Sequence, residues 1–137
     1  MKLCSACLLG INCRYNAERK ANNKVLKLAS EETLIPICPE QLAGLATPRL
    51  PAEIKDKQVI NSDNVNLTKQ FEGGAEEVLR IAKLYNIKEA ILKQRSPSCG
   101  CGKIYDGSFS GTIINGDGIT ATLLKKHGIN VKTEEDL

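Results

Sequence analysis

The chain has 137 residues, a formal charge of +3, six cysteines, one histidine and no tryptophan. That length suits one domain spanning 1–137 that buries about two-thirds of its unfolded surface without disulfides, and no apolar stretch approaches the roughly 18 residues of a membrane span. Two Phe, three Tyr and no dense Lys/Arg tract lack the basic groove and stacking aromatics of a single-strand nucleic-acid binder, leaving a small molecule as the expected partner.

Leu3 to Leu9 is an apolar run without helical period, closed by Gly10, and reads as a first buried strand entering a loop at Cys7. Met1-Lys2 leads straight into this segment rather than into a signal peptide, so the expected setting is a reducing cytoplasm, where clustered thiols mean metal or redox chemistry. Lys24 to Glu32 suits a short helix. Leu34-Ile35-Pro36-Ile37 is a second strand, and Pro36 marks it as broken or ending. Cys38 follows at once, with Pro39 placed to open another helix. Leu45 to Asp63, with Pro48, Pro51 and Gln58-Val59-Ile60, reads as an excursion with one small hairpin walling the site. Asn66 or Thr68 caps a helix whose face is Phe71, Ala75, Val78, Leu79, Ala82 and Tyr85, with Gly73-Gly74 marking close packing. Glu89 to Lys93 is the third strand and delivers Ser96, Ser98 and Cys99 into a loop. Gly100 to Gly118 is a candidate active-site loop containing Tyr105-Asp106-Gly107. Asp117 caps a last helix, Ile119 to Lys126, and Ile129-Asn130-Val131 forms a final strand.

Strands alternating with helices imply an α/β fold, a small Rossmann-like three-layer domain with a mainly parallel four-stranded sheet and a small hairpin excursion. Such a fold gathers strand ends along one edge, so Cys7, Cys38 and Cys99 converge on one site. A thiolate donor set selects zinc, copper(I) or an iron–sulfur cluster. Cys4-x2-Cys7 and Cys99-x-Cys101 keep zinc in contention, although Cys4 lies inside a strand and reads as a core residue. Cys13 shares the first loop with Cys7 and reads as a ligand, a sulfur acceptor or a packing residue; Cys101 lies nearby without ligating. His127 falls at a helix C-terminus, where it caps, so no histidine-based triad is available.

Glu40 reads either as an acid/base group beside the thiols or as a helix-start partner. Ser96 and Ser98 flank Pro97 next to Cys99. Arg14, Arg49 and Arg95 lie near strand-end loops, where they serve an anion or planar ligand or, more simply, surface salt bridges. A three-cysteine cluster would leave one iron open as a Lewis acid.

Three ordered segments carry a resemblance: Ser5-Ala6-Cys7-Leu8-Leu9-Gly10 with Cys13-Arg14-Tyr15; Cys38-Pro39-Glu40 with Gly44-Leu45 and Pro48-Arg49; and Ser96-Pro97-Ser98-Cys99-Gly100 with Ile104-Tyr105-Asp106-Gly107. Together they resemble, over essentially the whole chain, the bacterial family catalogued as domain of unknown function 523, which includes the thiouracil desulfidases. The resemblance implies a [4Fe-4S] cluster on Cys7, Cys38 and Cys99, with the sulfur of a thiolated pyrimidine or related thioamide binding the open iron while water replaces it at carbon, without net redox change. It also implies that Glu40 handles the water proton and Ser96 helps hold the substrate, with Ser98, Tyr105 and Asp106 as expected substrate contacts. The chain departs from the family pattern at Tyr15-Asn16-Ala17, where relatives read Tyr-Asp-Gly, and at Cys4 and Cys101. The competing expectation is a non-catalytic zinc site or a sulfur or persulfide carrier.

Overall fold

The computed structural model describes residues 1–137. Strands β1 (Lys2–Ser5), β2 (Leu34–Ile37), β5 (Glu89–Leu92) and β8 (Asn130–Thr133) form a sheet in the order β2-β1-β5-β8. Every pairing in it is parallel, with Ser5 opposite Ile37, Cys4 opposite Ile91 and Leu92 opposite Thr133. Pro36 is tolerated because β2 is an edge strand, where a missing N–H costs no ladder bond on the open side.

Side-chain alternation along the strands divides the core into two layers. Leu3, Ala90, Leu92 and Val131 point to one face, where they meet Val78, Leu79 and Ala82 of α3 (Thr68–Leu84) and Ala121 and Leu124 of α4 (Ile119–Lys126). Cys4 and Ile91 point to the other, against Val25 of α1 (Asn23–Glu31) and Leu8. This is the expected three-layer arrangement. Each large aliphatic side chain buried here contributes about 1.5–3 kcal/mol relative to exposure.

The chain departs from the sequence expectations at identifiable places. β1 stops at Ser5, and Ala6–Leu9 forms a 3-10 turn closed by Gly10, so the strand is shorter than the apolar run and Cys7 lies, as expected, in the segment that leaves it. α1 begins at Asn23 because the Asn22 side chain accepts the Lys24 and Val25 N–H groups. The expected hairpin is β3 (Ala52–Lys55) with β4 (Gln58–Asn61), and Asp56 and Lys57 both take positive φ in its tight turn. Gly100 to Gly118 is no single loop: it contains a second hairpin, β6 (Cys101–Tyr105) with β7 (Ile113–Asp117). Asp117 does not cap α4, whose N-cap is Gly118; its carboxylate instead accepts the Gly102 N–H and pairs with Lys125. Tyr85 lies beyond the end of α3 and is exposed rather than on its apolar face. His127 does close α4, with its ring Nδ1 3.1 Å from the Leu123 carbonyl. After β8 the chain adds a short turn, Glu134–Asp136, capped by Thr133.

Helix α2 (Pro39–Leu42) crosses α3 so closely that a Cβ on Gly74 would collide with the Pro39 carbonyl oxygen, whereas one on Gly73 would meet open space. The same contact seats Cys38 and Glu40. Gly74→Ala is therefore expected to destabilise the fold by about 1–3 kcal/mol through overpacking, and Gly73→Ala to stabilise it by up to about 1 kcal/mol through helix propensity. Urea unfolding of the two variants checks this, and equal effects would contradict the close approach.

Candidate metal centre

Because β1 is paired parallel with both β2 and β5, the chain exits all three strands at one sheet edge. Cys7 sits in the turn after β1, Cys38 is the N-cap of α2 after β2, and Cys99 follows β5. The Cys99 loop is built around Ser96, whose Oγ accepts the Ser98 N–H at 3.1 Å and the Cys99 N–H at 3.0 Å. It is pinned from outside by the start of α4, where Thr120 N–H donates to the Ser98 carbonyl at 2.8 Å and Gly118 N–H to the Gly100 carbonyl at 2.7 Å. A side chain on Gly118 would overlap the Ser98 carbonyl, so this docking requires glycine.

The structure brings together four thiols, the fourth being Cys13. Buried Cys13 shares its S–H between Cys38 and Cys7, and those two contacts, with burial, keep it protonated. The same hydrogen bond is the main cause that lowers Cys38, to about 7. It also lowers Cys7, helped by the cations of Lys93 and Arg14. Cys99, 4% exposed, is pushed up chiefly by desolvation, against the favourable Ser5 hydroxyl. Cys4 is fully buried on the α1 side, raised to about 12 by desolvation, and plays the core role its strand position indicated. Cys101 turns to the opposite side, its Sγ 3.8 Å from the Val131 carbonyl.

Glu40 stands beside Cys38 and Cys99. Its Oε1 accepts Arg49 Nε at 3.2 Å, and both side chains are largely shielded, at 18% and 10% exposure. The rest of the Arg49 fork reaches the Cys13 carbonyl at 2.8 Å and the Ala46 carbonyl and Thr47 hydroxyl at 3.1 Å each, while its own backbone N–H donates to the Tyr15 carbonyl. A surface salt bridge was the simpler expectation for Arg49; the structure makes it the clamp between the Cys13 loop and the Cys38-Pro39-Glu40 segment. Within that loop Ala17 adopts φ +58°, a left-handed conformation that favours glycine, at the position where the chain departs from the Tyr-Asp-Gly pattern. Lys93 also escaped the sequence reading: its ammonium sits between Glu134 Oε1 at 3.0 Å and the Gln94 carbonyl at 3.1 Å, with its field on Cys7. Only the terminal turn reveals this pairing.

Ser98 is 1% exposed, and its hydroxyl, like that of Thr120, has no hydrogen-bond partner. Tyr105 is the last residue of β6, half-buried, while the Asp106 carboxylate is held by the Ser108 N–H and hydroxyl within the turn that follows. Glu53 of β3 then accepts the Gly107 and Phe109 N–H groups, clasping the two hairpins together. Arg95 pairs with Glu135 and not with the thiols.

An all-thiol donor set with no imidazole fits iron–sulfur or structural zinc chemistry. No three His, Cys, Asp or Glu side chains are gathered tightly enough around one point for a single metal ion. A cluster several atoms across accepts thiolates spread more widely than one ion does.

Comparison with known proteins agrees with this donor chemistry. A family model described as 2-thiouracil desulfurase matches residues 3–136. The uncharacterized protein YbbK of Bacillus subtilis (strain 168) is 42% identical over 147 aligned positions, covering 100% of this chain and 97% of the relative. Among solved structures, the [4Fe-4S]-dependent thiouracil desulfidase TudS is 40% identical with a TM-score of 0.93, covering 99% of this chain and 91% of that one.

Two outcomes are expected from the geometry. In metal-free, reduced protein at about pH 7.5, iodoacetamide labels Cys38 before Cys4, because thiolate fraction sets the rate; peptide mapping that finds equal labelling would contradict the thiol arrangement. Arg49→Met removes charge-assisted hydrogen bonds worth about 1.5–3 kcal/mol, and Arg49→Lys does not restore them because lysine lacks the planar fork; thermal unfolding of both variants checks this.

Proposed function

The chain belongs to the 2-thiouracil desulfurase family, and from that premise we propose that it removes sulfur from thiolated pyrimidines or related thioamides at a [4Fe-4S] cluster held by Cys7, Cys38 and Cys99. The observation that carries this reading is the convergence of those thiols beside a carboxylate, Glu40, whose position is held by Arg49. When bound through three cysteines, such a cluster supplies an iron without a protein ligand, a Lewis acid matched to a soft thiocarbonyl sulfur.

The protein's own groups supply the rest. Arg49 occupies Glu40 Oε1, which leaves Oε2 to take a proton from the attacking water as its oxygen adds to the ring carbon. Ser96 Oγ already accepts two backbone N–H groups; a hydroxyl with both acceptor positions filled has its proton left to donate, here to a polar atom of the substrate. Cys13, buried against Cys38 and Cys7, is the fourth thiol of the site and stands outside the three-cysteine ligand set. In balance, the thiocarbonyl and one water become a carbonyl and hydrogen sulfide, with no electron supplied or removed.

Anaerobic reconstitution followed by visible absorption and iron and sulfide counting is expected to give a brown protein that releases sulfide from 2- or 4-thiouracil. A colourless protein with one tight zinc would favour the carrier reading instead. Alanine at Cys7, Cys38 or Cys99 is expected to abolish the cluster, whereas Cys13→Ala retains it. Glu40→Gln should keep the cluster's spectrum and lose about 10²-fold or more in rate.

A further inference from the structure

Directly behind Glu40 and Arg49 the structure contains a recess of about 140 Å³. Its walls are Leu45, Leu50, Ala52, Leu67 and Phe71, contributed by the α2–β3 connection, the β3–β4 hairpin and the start of α3. Glu40, Arg49 and Asn61 are its polar groups. Asn61 Oδ1 accepts the Asp63 and Val65 N–H groups, so Nδ2 is the end of that amide left to donate. An apolar cavity of about 150 Å³ admits a single benzene-sized ring, so this recess has the volume of one six-membered heterocycle. Its chemistry is also graded: apolar on the hairpin and α3 side, charged where Glu40, two residues after Cys38, pairs with Arg49.

We infer that this recess is a ring-binding subsite for the pyrimidine, resting on the desulfidation reading: the C5–C6 edge enters between Leu45, Leu50 and Phe71, and the thiocarbonyl faces the thiols past Glu40. Flat faces and the C–H edge of the ring meet aliphatic and aromatic walls, while Arg49 and Asn61 offer N–H donors to a ring oxygen. The C5 position of 2-thiouracil, opposite its C2 sulfur, then lies deepest, so Ala52 and Phe71 set the bulk tolerated there. The β3–β4 hairpin thereby acts in specificity as well as in walling the site.

Calorimetric binding of uracil to the cluster-loaded protein tests the subsite apart from turnover, since uracil has no sulfur to place on iron. Ala52→Leu, which fills the recess, is expected to weaken uracil at least tenfold and to raise KM for 2-thiouracil by a similar factor, with iron content and visible spectrum unchanged. Uracil affinity within twofold of the parent would overturn the inference. A ligand-side measurement needs no variant: 5-phenyl-2-thiouracil is expected to bind the parent protein at least tenfold more weakly than 2-thiouracil, and equal binding would overturn it. Failure of the parent protein to release sulfide from any thiouracil would instead count against the desulfidation reading itself.

Discussion

The parallel pairing of β1 with β2 on one side and β5 on the other is the constraint on which the site depends. In a parallel sheet neighbouring strands end at the same edge, so residues separated by about thirty or sixty positions in sequence leave the sheet together. Cys7, Cys38 and Cys99 are those residues. A one-residue slip would reverse the faces of β1, turning Leu3 away from α3 and Cys4 away from α1; the two-layer core therefore holds the register that brings the thiols together.

Burial at this edge is used unevenly. Cys13 and Cys99 are buried and held above the usual thiol range, Cys13 chiefly by its contacts with Cys38 and Cys7 and Cys99 by desolvation, whereas half-buried Cys7 and Cys38 are lowered. Three cations, Arg14, Lys93 and Arg49, surround the thiols, and two of them are tied to carboxylates, Lys93 to Glu134 and Arg49 to Glu40. That balance offsets the cost of gathering several thiols in a partly desolvated setting, where unpaired negative charge is costly. Close backbone approaches make the arrangement rigid: α2 against Gly74 of α3, and the Cys99 loop against Gly118. The β3–β4 hairpin, clasped to the second hairpin through Glu53, contributes Ala52 and Asn61 to the recess beside Glu40.

Most of the architecture was legible in the chain. Apolar runs alternating with a 3.6-period helix marked the parallel layers, and Pro39 located a helix start; Pro36, read as breaking or ending its strand, lies within a continuous edge strand instead. The second hairpin was not legible. Its strands carry Gly102, Gly116 and exposed Ile113 and Ile114, so they lack the inside–outside alternation that identifies a strand. The Asp117 cap failed for a related reason: the carboxylate found stronger partners, Lys125 and the Gly102 N–H, than the helix start offered.

For the candidate site, local sequence placed the groups that can carry chemistry: cysteines at strand ends, Glu40 just inside a helix, Ser96 before a tight loop. Cys4 was placed in the core by its position within a strand and by the usual burial of free cysteine. Arg49, Lys93 and the recess belong to the other class. Arg49 acts by bridging to a loop 36 residues earlier and Lys93 by meeting a glutamate 41 residues later, while the recess is enclosed by successive elements, α2, the β3–β4 hairpin and the start of α3, that fold back on one another. A residue's chemistry and local conformation are written in its immediate neighbours, whereas partners and enclosed volume exist only once separate elements pack, so those features were decided by the tertiary structure.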